Sequence, residues 1–291
     1  MKLSRRAQLA LTIAQEAGGI LLQQAAMIQK SKGANKHINH KQNNVTGGKE
    51  IVTTVDRLID NFIIKSLERT YPGEFFLTEE SYKQTDTRKR LRYKSLWIID
   101  PIDGTQNFSL FLLGQAKKKR QQSFSISVAW ARNGLIQLGV IHTPVLSETW
   151  IAEKGHGTWY KQGKKPWRQL VMRANKSTRL TIALNSHERV TGENTASLAG
   201  HTLVYPSSLA YRIVGTTTGH HDALISFKGG SKEWDVAAAD IIVQEAGGQL
   251  LDVCQKPLRY NKPDLINHLL LIAGHPAIIK KLLSLIQSKP R

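Results

Sequence analysis

The sequence predicts an α/β protein, with an α+β N-terminal half followed by an α/β C-terminal half. Three observations support this prediction. Apolar residues recur at helical spacing through the first thirty residues, short apolar runs follow at hairpin spacing in the middle of the chain, and after about residue 177 strand-like runs alternate with helical ones. This last change of pattern predicts a domain boundary near residue 176, which divides the chain into residues 1–176 and 177–291.

The N-terminal half begins with a predicted amphipathic helix. Its apolar positions are Leu9, Ile13, Ala17, Ile20 and Leu21. The pair Gly18-Gly19 weakens this helix but also allows close packing against a neighbour. Residues 30–48 are polar and are expected to form a loop or a loose hairpin. A second helix is expected from Ile51, and its apolar face is expected to contain Leu58, Phe62 and Leu67.

Short apolar runs predict the strands. In the first half these runs cover residues 75–77, 96–99, 124–130, 135–143 and 148–153, and they favour an antiparallel sheet. The stretch 155–163 has the composition of a turn. In the second half, strands are expected at residues 180–184, 202–205, 223–227 and 269–273, and helices at residues 208–219, 235–246 and 276–287.

Composition excludes several classes of protein. The chain has 291 residues, of which 41% are hydrophobic, and this indicates a folded rather than a disordered protein. Its single cysteine, Cys254, excludes an intrachain disulfide and a Cys-based zinc site, and we expect it to be a small core residue. No run of about 18 apolar residues predicts a membrane span. The first 22 residues lack a signal-peptide cleavage site, so the expected location is the cytoplasm.

The chain is strongly basic. It has 41 Lys and Arg residues against 22 Asp and Glu, which gives a net charge of +19. This charge attracts any polyanion without choosing among nucleic acid, acidic lipid and phosphorylated metabolites. The basic clusters at residues 88–94, 117–120 and 161–165 are interpreted as solvated loops. Because no known base-reading module accompanies them, no specific nucleic acid partner is predicted.

Carboxylates occur where buried charge is otherwise expensive. Glu79 and Glu80 follow one apolar strand, Asp100 and Asp103 follow another, and Asp235 stands at the head of a helix rich in small residues. Such positions converge readily in a layered fold. Clustered carboxylates repel one another unless a cation lies between them, and Mg²⁺ prefers oxygen ligands. The three segments together therefore predict a metal site.

The hexapeptide Asp100-Pro101-Ile102-Asp103-Gly104-Thr105 has its own chemical logic. Pro101 restricts the chain so that the two carboxylates can point to one side, and the Ile102 carbonyl adds a further oxygen. Gly104 permits a sharp turn, and Thr105 can open a helix whose free N–H groups hold a phosphate. Taken alone, the segment also fits ordinary turn chemistry, as Asp235 fits a helix N-cap. The coincidence of all three acidic segments favours the metal site.

These segments resemble the motifs of a known family. Residues 100–105 and 234–238 are similar to the two signature motifs of the inositol monophosphatase superfamily, a group of lithium-sensitive, Mg²⁺-dependent phosphatases. Residues 78–81 and 52–56 are similar to its two supporting motifs, and the resemblance extends over most of the chain. It implies an αβαβα layered sandwich of the sugar-phosphatase type, which is consistent with the elements predicted above.

The resemblance also implies roles for individual residues. Two or three Mg²⁺ ions would be held by Glu79, Asp100, the carbonyl of Ile102, Asp103, Asp235 and Asp56. Asp56, Glu79 and Thr105 would be catalytic, since an ion together with a hydrogen-bonded Asp56–Thr105 pair would activate a water molecule. The backbone N–H groups of Gly104 and Thr105 would bind the substrate phosphate. Further substrate contacts would come from Glu79, Ile102, Asp103, Asp235, Ser207 and Lys228.

Lys228 bears on the substrate. In the inositol phosphatases an acidic residue seven positions before the second-domain aspartate contacts sugar hydroxyls, and this chain has Lys228 there. A lysine suits a second phosphate better. Residues 229–235 and 257–261 resemble the bacterial CysQ-type 3′(2′),5′-bisphosphate nucleotidases, which convert adenosine 3′,5′-bisphosphate, a by-product of sulfate assimilation, to AMP. Ser207 lies in a Ser-Ser-Leu motif that these enzymes share, although Pro206 and Ala210 depart from their pattern. Tyr211 and Tyr260 could contact the base or belong to the core.

The expected partner is a small phosphorylated metabolite. The first alternative is an inositol-1-phosphate or fructose-1,6-bisphosphate phosphatase with the same fold. A second, of another class, is an RNA- or ribosome-associated protein that uses the basic surface, and the intact ligand positions count against it. Residues 109–123 are longer than the family leads us to expect and could be a surface insertion or an anion clamp. A monomer and a homodimer are both compatible with the resemblance.

Overall fold

The structure is a computed structural model that describes residues 1–30, 38–42, 49–112, 123–185, 195–206 and 208–287, with the backbone alone at 38–42 and 49–53. Seven α-helices lie in these described ranges. They are α1 (Arg5–Lys30), α2 (Thr54–Glu68), α3 (Thr87–Arg90), α4 (Thr105–Leu112), α5 (Leu209–Thr218), α6 (Glu233–Glu245) and α7 (Pro276–Gln287). Within the same ranges, no helix combines the length and the apolar character that crossing a membrane requires.

The first half is built on a seven-stranded sheet. Its strands follow chain order, from β3 to β9, and all pair antiparallel except β3 and β4. They are β3 (Phe75–Thr78), β4 (Ser95–Asp103), β5 (Ser125–Arg132), β6 (Leu135–Thr143), β7 (Glu148–Glu153), β8 (Thr158–Gln162) and β9 (Arg168–Leu170). A separate antiparallel hairpin, β1 (Ile38–Gln42) with β2 (Lys49–Thr53), precedes α2.

The second half contains a mixed five-stranded sheet in the order β11-β10-β12-β16-β14. Its members are β10 (Thr181–Ala183), β11 (Thr202–Val204), β12 (Ala223–Ser226), β14 (Gln249–Asp252) and β16 (Leu271–Gly274). Strand β10 runs parallel to β11 and β12, whereas β16 runs antiparallel to β12 and β14. A two-stranded ribbon of β13 (Ser231–Lys232) and β15 (Ile266–Asn267) leads into α6.

The buried hydrophobic residues form three clusters, and these clusters separate five layers of helices and sheets. Helices α1 and α2 pack on one face of the seven-stranded sheet, α5 and α6 fill the space between the two sheets, and α7 covers the outer face of the second sheet. The architecture is therefore the expected αβαβα sandwich. The boundary at residue 176 stays a prediction, and the central cluster takes side chains from both sides of it.

Several local expectations differ from the structure. Residues 51–53 belong to β2, and α2 begins only at Thr54. Its buried face is formed by Val55, Ile59, Ile63 and Leu67, while Leu58 is 45% exposed. The glycines that predicted a turn at 155–163 flank a strand, β8, whose five residues are too few for a clear period. Cys254 is exposed, because it follows the end of β14 in a turn instead of lying within the strand.

The glycine pair in α1 provides a test of the packing. A Cβ atom on Gly18 would lie 2.5 Å from Cδ2 of His142 on β6 and 3.2 Å from Cβ of Pro144, whereas one on Gly19 would meet nothing within 4 Å. We expect Gly18→Ala to lower the free energy of unfolding by about 1–3 kcal/mol through overpacking. Gly19→Ala should raise it by about 0.5–1 kcal/mol because alanine favours the helix. Chemical denaturation of the two variants tests this, and equal stability would contradict it.

Candidate functional site

The site begins where two parallel strands end together. Thr78 of β3 is paired with Ile99 of β4, and the Glu79 N–H donates to the Ile99 carbonyl at 3.3 Å. Because parallel strands present their carboxyl ends at one edge, this register puts the half-buried Glu79 beside Asp100. The apolar strands hold this edge in place, since Leu77 and Ile99 are fully buried.

The end of β4 carries the central carboxylates. The pairing with β5 is irregular between Asp100 and Asp103, and the Asp100 Oδ1 atom accepts the Ile102 N–H at 3.1 Å. Asp100 is 1% exposed and Asp103 is 8% exposed. A bulge re-aims side chains at the end of a strand, and here it separates the two aspartates from the regular inward and outward alternation.

Gly104 turns the chain from β4 into α4. Its φ of +93° suits glycine, and a Cβ atom there would lie 3.2 Å from the Asn107 side chain. Helix α4 begins at Thr105, as expected, so its first N–H groups are directed to this end of the site. The Thr105 hydroxyl donates to the Ile102 carbonyl at 3.1 Å. It therefore uses its one proton on that carbonyl, which differs from the expected hydrogen bond to Asp56.

Asp103 is bound by residues of both halves. Its Oδ2 atom accepts the hydroxyl of Ser208, the Ala210 N–H at 2.9 Å and, at 3.4 Å, the Ser125 hydroxyl. Burial raises the Asp103 pKa, while these hydrogen bonds and the positive charge of buried Arg212 oppose that rise. Sequence reasoning missed Ser208 and Arg212. A lone arginine in the otherwise uncharged α5 is the signal that could have identified Arg212, since a buried cation requires an acidic neighbour.

The other two aspartates lie in the first turns of helices. Asp56 lies in the first turn of α2 and is 2% exposed. Asp235 lies in the first turn of α6, and its Oδ2 atom accepts the Lys232 N–H at 2.6 Å. Each carboxylate therefore lies where the partial positive charge of a helix N-terminus favours it.

Three other carboxylates affect the ionisation of Asp100. Burial raises the pKa of Asp100 well above its ordinary value, and the negative charges of Asp103, Asp235 and Asp56 raise it further. The carboxylates of Asp103, Asp235 and Asp56 therefore lie near enough to Asp100 to act on its ionisation. Glu79 and the Ile102 carbonyl lie at the same strand edge.

The donor chemistry fits Mg²⁺, since every predicted ligand atom is an oxygen. Within the described residues, however, no group of three or more His, Cys, Asp or Glu side chains is arranged so that it could hold a metal ion. The hydrogen bonds explain part of this. Asp103 is directed to Ser208 and Ala210, and Asp235 to the Lys232 N–H. These two side chains would exchange protein donors for the ion on binding.

The predicted substrate residues are placed less completely. Lys228 is exposed on the loop after β12, and its carbonyl accepts the Ser226 hydroxyl at 3.4 Å. Ser207 and most of the basic insertion, residues 113–122, lie outside the described residues. Tyr211 and Tyr260 are 2% and 4% exposed, and their hydroxyls donate to Glu148 and Asp240. Both tyrosines are therefore core residues rather than base contacts.

Asp60 is expected to make the stability of the fold depend on pH. It lies one turn after Asp56, is buried, and accepts the Thr78 hydroxyl at 3.0 Å. Burial, aided by the Glu80 charge, raises its pKa to about 7. Because the pKa of Asp60 is higher in the folded protein than in the unfolded chain, the protonated side chain stabilises the fold fully below about pH 4. This stabilisation is lost as the pH rises through 7.

We therefore expect Asp60→Asn, which mimics the protonated acid, to stabilise the metal-free protein progressively as the pH rises. The gain should be small at pH 4 and about 2–4 kcal/mol at pH 8. Denaturation across this range, with the exposed helix cap Asp86→Asn as control, measures it. A gain that does not change between pH 4 and pH 8 would refute the assignment.

Comparison with known proteins gives a consistent result. A model described as the inositol monophosphatase family matches residues 2–290. A fructose-1,6-bisphosphatase/inositol-1-monophosphatase of Thermotoga maritima is 32% identical over 72% of this chain and 75% of its own length. A 3′(2′),5′-bisphosphate nucleotidase CysQ of Aggregatibacter actinomycetemcomitans is 30% identical over the same shares. The solved structure of a Thermotoga maritima IMPase covers 97% of both chains, with 26% identity and a TM-score of 0.74.

Proposed function

The chain belongs to the inositol monophosphatase family, and from that premise we propose that this phosphatase removes the 3′-phosphate from adenosine 3′,5′-bisphosphate to give AMP. Phosphate-ester hydrolysis is supported by the carboxylates around Asp100 and by the helix that starts at Thr105. The choice of substrate depends on one observation, the cation Lys228 seven residues before Asp235.

The reacting phosphate is proposed to bind at the N-terminus of α4. The sharp turn at Gly104 brings the backbone of Gly104 and Thr105 to the surface of the site, where their N–H groups can donate to phosphate oxygens. The eight-residue helix adds the partial positive charge of its dipole. This end of the site therefore binds and orients the group that is transferred.

The second phosphate is proposed to bind near Lys228. The side chain is exposed and lies on the loop between β12 and β13, and β13 leads directly into the helix that carries Asp235. An ammonium group attracts a phosphate dianion, whereas a carboxylate is the better partner for a sugar hydroxyl. A substrate with two phosphate groups therefore uses both ends of the site.

Two or three Mg²⁺ ions are proposed as the cofactor, held by Glu79, Asp100, the Ile102 carbonyl, Asp103, Asp235 and Asp56. When bound, such ions lower the pKa of a water molecule and offset the charge of the leaving oxygen. Asp56 or Glu79 is proposed to accept the proton that the attacking water loses. The water oxygen attacks phosphorus, the bond from phosphorus to the 3′ oxygen breaks, and that oxygen takes up a proton from solvent, which leaves a 3′-hydroxyl and inorganic phosphate.

A second candidate substrate class has a specific observation in its favour. The chain is 32% identical to a fructose-1,6-bisphosphatase/inositol-1-monophosphatase and 30% identical to a human inositol monophosphatase 1 over 83% of this chain. Inositol 1-phosphate and fructose 1,6-bisphosphate are therefore the alternatives, and they would use the same carboxylates. Lys228 favours a substrate with a second phosphate over inositol 1-phosphate. Fructose 1,6-bisphosphate also carries two phosphates, and a direct comparison of rates distinguishes it from the nucleotide.

Phosphorus NMR of the product tests the position of cleavage. Incubation of adenosine 3′,5′-bisphosphate with the enzyme and Mg²⁺ should give inorganic phosphate and adenosine 5′-monophosphate in equal amounts, and chelation with EDTA should stop the reaction. Formation of adenosine 3′-monophosphate would show that the 5′ ester binds at α4 and would overturn the proposed orientation. Turnover that survives EDTA would overturn the metal-dependent chemistry.

A further inference from the structure

Two buried charges outside the ligand set need an explanation. Arg90, the last residue of α3, is 1% exposed, and Glu233, the first residue of α6, is fully buried. Taking two such charges out of water costs several kcal/mol each unless hydrogen bonds replace the lost hydration. Burial accordingly lowers the pKa of Arg90 and raises that of Glu233 to about 6, and the opposite charges of the two groups counteract both changes.

Both charges bind the same short turn. The two carboxylate oxygens of Glu233 accept the N–H groups of Asn261 at 2.7 Å and of Lys262 at 2.9 Å. From the other side, the Arg90 guanidinium donates to the Asn261 side-chain oxygen at 2.6 Å and to the Lys262 carbonyl at 2.7 Å. The Asn261 amide also donates to the Tyr93 carbonyl at 3.1 Å. Glu233 thus binds the N–H groups of the turn at 261–262, and Arg90 binds its oxygen atoms.

Through these hydrogen bonds, the turn at 261–262 connects the segment that follows Glu79 to the helix that carries Asp235. Arg90 belongs to the stretch that follows Glu79, and Glu233 precedes Asp235 by two residues in the first turn of α6. A second contact runs beside it, since the Tyr82 and Trp234 rings lie 4.8 Å apart and the Lys232 ammonium lies over both. The cluster therefore fixes the start of α6 relative to the edge of the seven-stranded sheet.

We propose that Arg90 is a positioning residue of the metal site. Through the turn at 261–262 and Glu233, it holds the first turn of α6 in the orientation that directs Asp235 towards Asp100. This inference rests on the proposed function only in that Asp235 binds a metal ion. Since residues around the ligands commonly change metal affinity by about 10–100-fold, the effect should be measurable without any substrate.

The test measures binding of Mn²⁺, a substitute for Mg²⁺, by isothermal titration calorimetry in the absence of substrate. Arg90→Lys keeps the charge but loses the forked pair of hydrogen bonds. Asn261→Gly removes both side-chain bonds and suits the φ of +59° at that position, so the backbone stays unstrained. The control is Arg6→Lys, which weakens a forked ion pair between α1 and Glu74, at 2.6 and 2.8 Å.

We expect all three variants to melt at lower temperature, but only Arg90→Lys and Asn261→Gly to bind Mn²⁺ about tenfold more weakly than the wild type. Arg6→Lys should remain within twofold. If both cluster variants keep wild-type Mn²⁺ affinity, Arg90 is structural only and the proposal fails. A wild-type protein that binds Mn²⁺ and shows these differences, yet hydrolyses no phosphate ester, would refute the proposed function and leave the positioning role standing.

Discussion

Replacing Asp100 by asparagine is expected to lower kcat/KM for every phosphate ester by at least about a thousandfold, while making the metal-free protein more stable. The carboxylate is buried, and three other negative charges act on it. It therefore costs folding free energy in the absence of a cation. In the proposed function a metal ion would use the same charge, and several kcal/mol of transition-state stabilisation would depend on that ion.

The two effects have opposite signs, which distinguishes them from simple damage to the fold. Burial raises the pKa of Asp100 in the folded protein. At any pH above the pKa that Asp100 has in the unfolded chain, ionisation of this side chain therefore destabilises the fold, and asparagine removes that cost. Thermal unfolding in EDTA should show a higher melting temperature for Asp100→Asn, and added Mg²⁺ should no longer raise it. Asp86→Asn, an exposed cap in which asparagine also serves, is the matched control. More than a tenth of wild-type activity in Asp100→Asn would contradict the metal site.

Lys228→Glu is expected to reverse the substrate preference. It places a carboxylate seven residues before Asp235, the residue type that the inositol phosphatases have there. We expect kcat/KM for adenosine 3′,5′-bisphosphate to fall about a hundredfold, because attraction of the second phosphate becomes repulsion. The value for inositol 1-phosphate should fall far less or rise.

A matched control separates local recognition from the general attraction of a basic protein for anions. Lys164→Glu makes the same change of charge at an exposed position between β8 and β9. It should change kcat/KM for both substrates by less than about threefold. A surface charge that contacts no substrate is largely screened at 0.1 M salt, where the Debye length is about 10 Å. Equal losses in the two lysine variants would show that Lys228 contacts no substrate phosphate.

Much of the architecture could be predicted from the sequence because its signals are local. The helix at Arg5–Lys30 and the strands at Leu135–Thr143 and Glu148–Glu153 follow directly from apolar spacing. Strand β9, three residues long, carries no readable period and was missed. Helix α2 starts later than expected because residues 49–53 pair with β1, and that pairing depends on a neighbouring strand rather than on helix propensity.

The site was predictable in its residue types and less so in its contacts. Burial of Asp56, Asp100 and Asp103 follows from their places beside apolar segments. The hydrogen bonds of Asp103 to Ser208 and Ala210 cross more than a hundred positions of the chain, and no local pattern encodes them. The cluster of Arg90 and Glu233 was missed for the same reason, because residues 88–94 resemble an ordinary solvated basic loop until the turn at 261–262 packs against them.

The most direct test of the account is the relative rate of phosphate release from four substrates with Mg²⁺: adenosine 3′,5′-bisphosphate, inositol 1-phosphate, fructose 1,6-bisphosphate and AMP. We predict that adenosine 3′,5′-bisphosphate leads in kcat/KM by tenfold or more and that AMP is the poorest. A lead for inositol 1-phosphate would contradict the inference from Lys228. A lead for fructose 1,6-bisphosphate, which also carries two phosphates, would contradict the choice of the nucleotide. If well-folded protein with ample Mg²⁺ releases no phosphate from any of the four, the proposed phosphatase activity itself is contradicted.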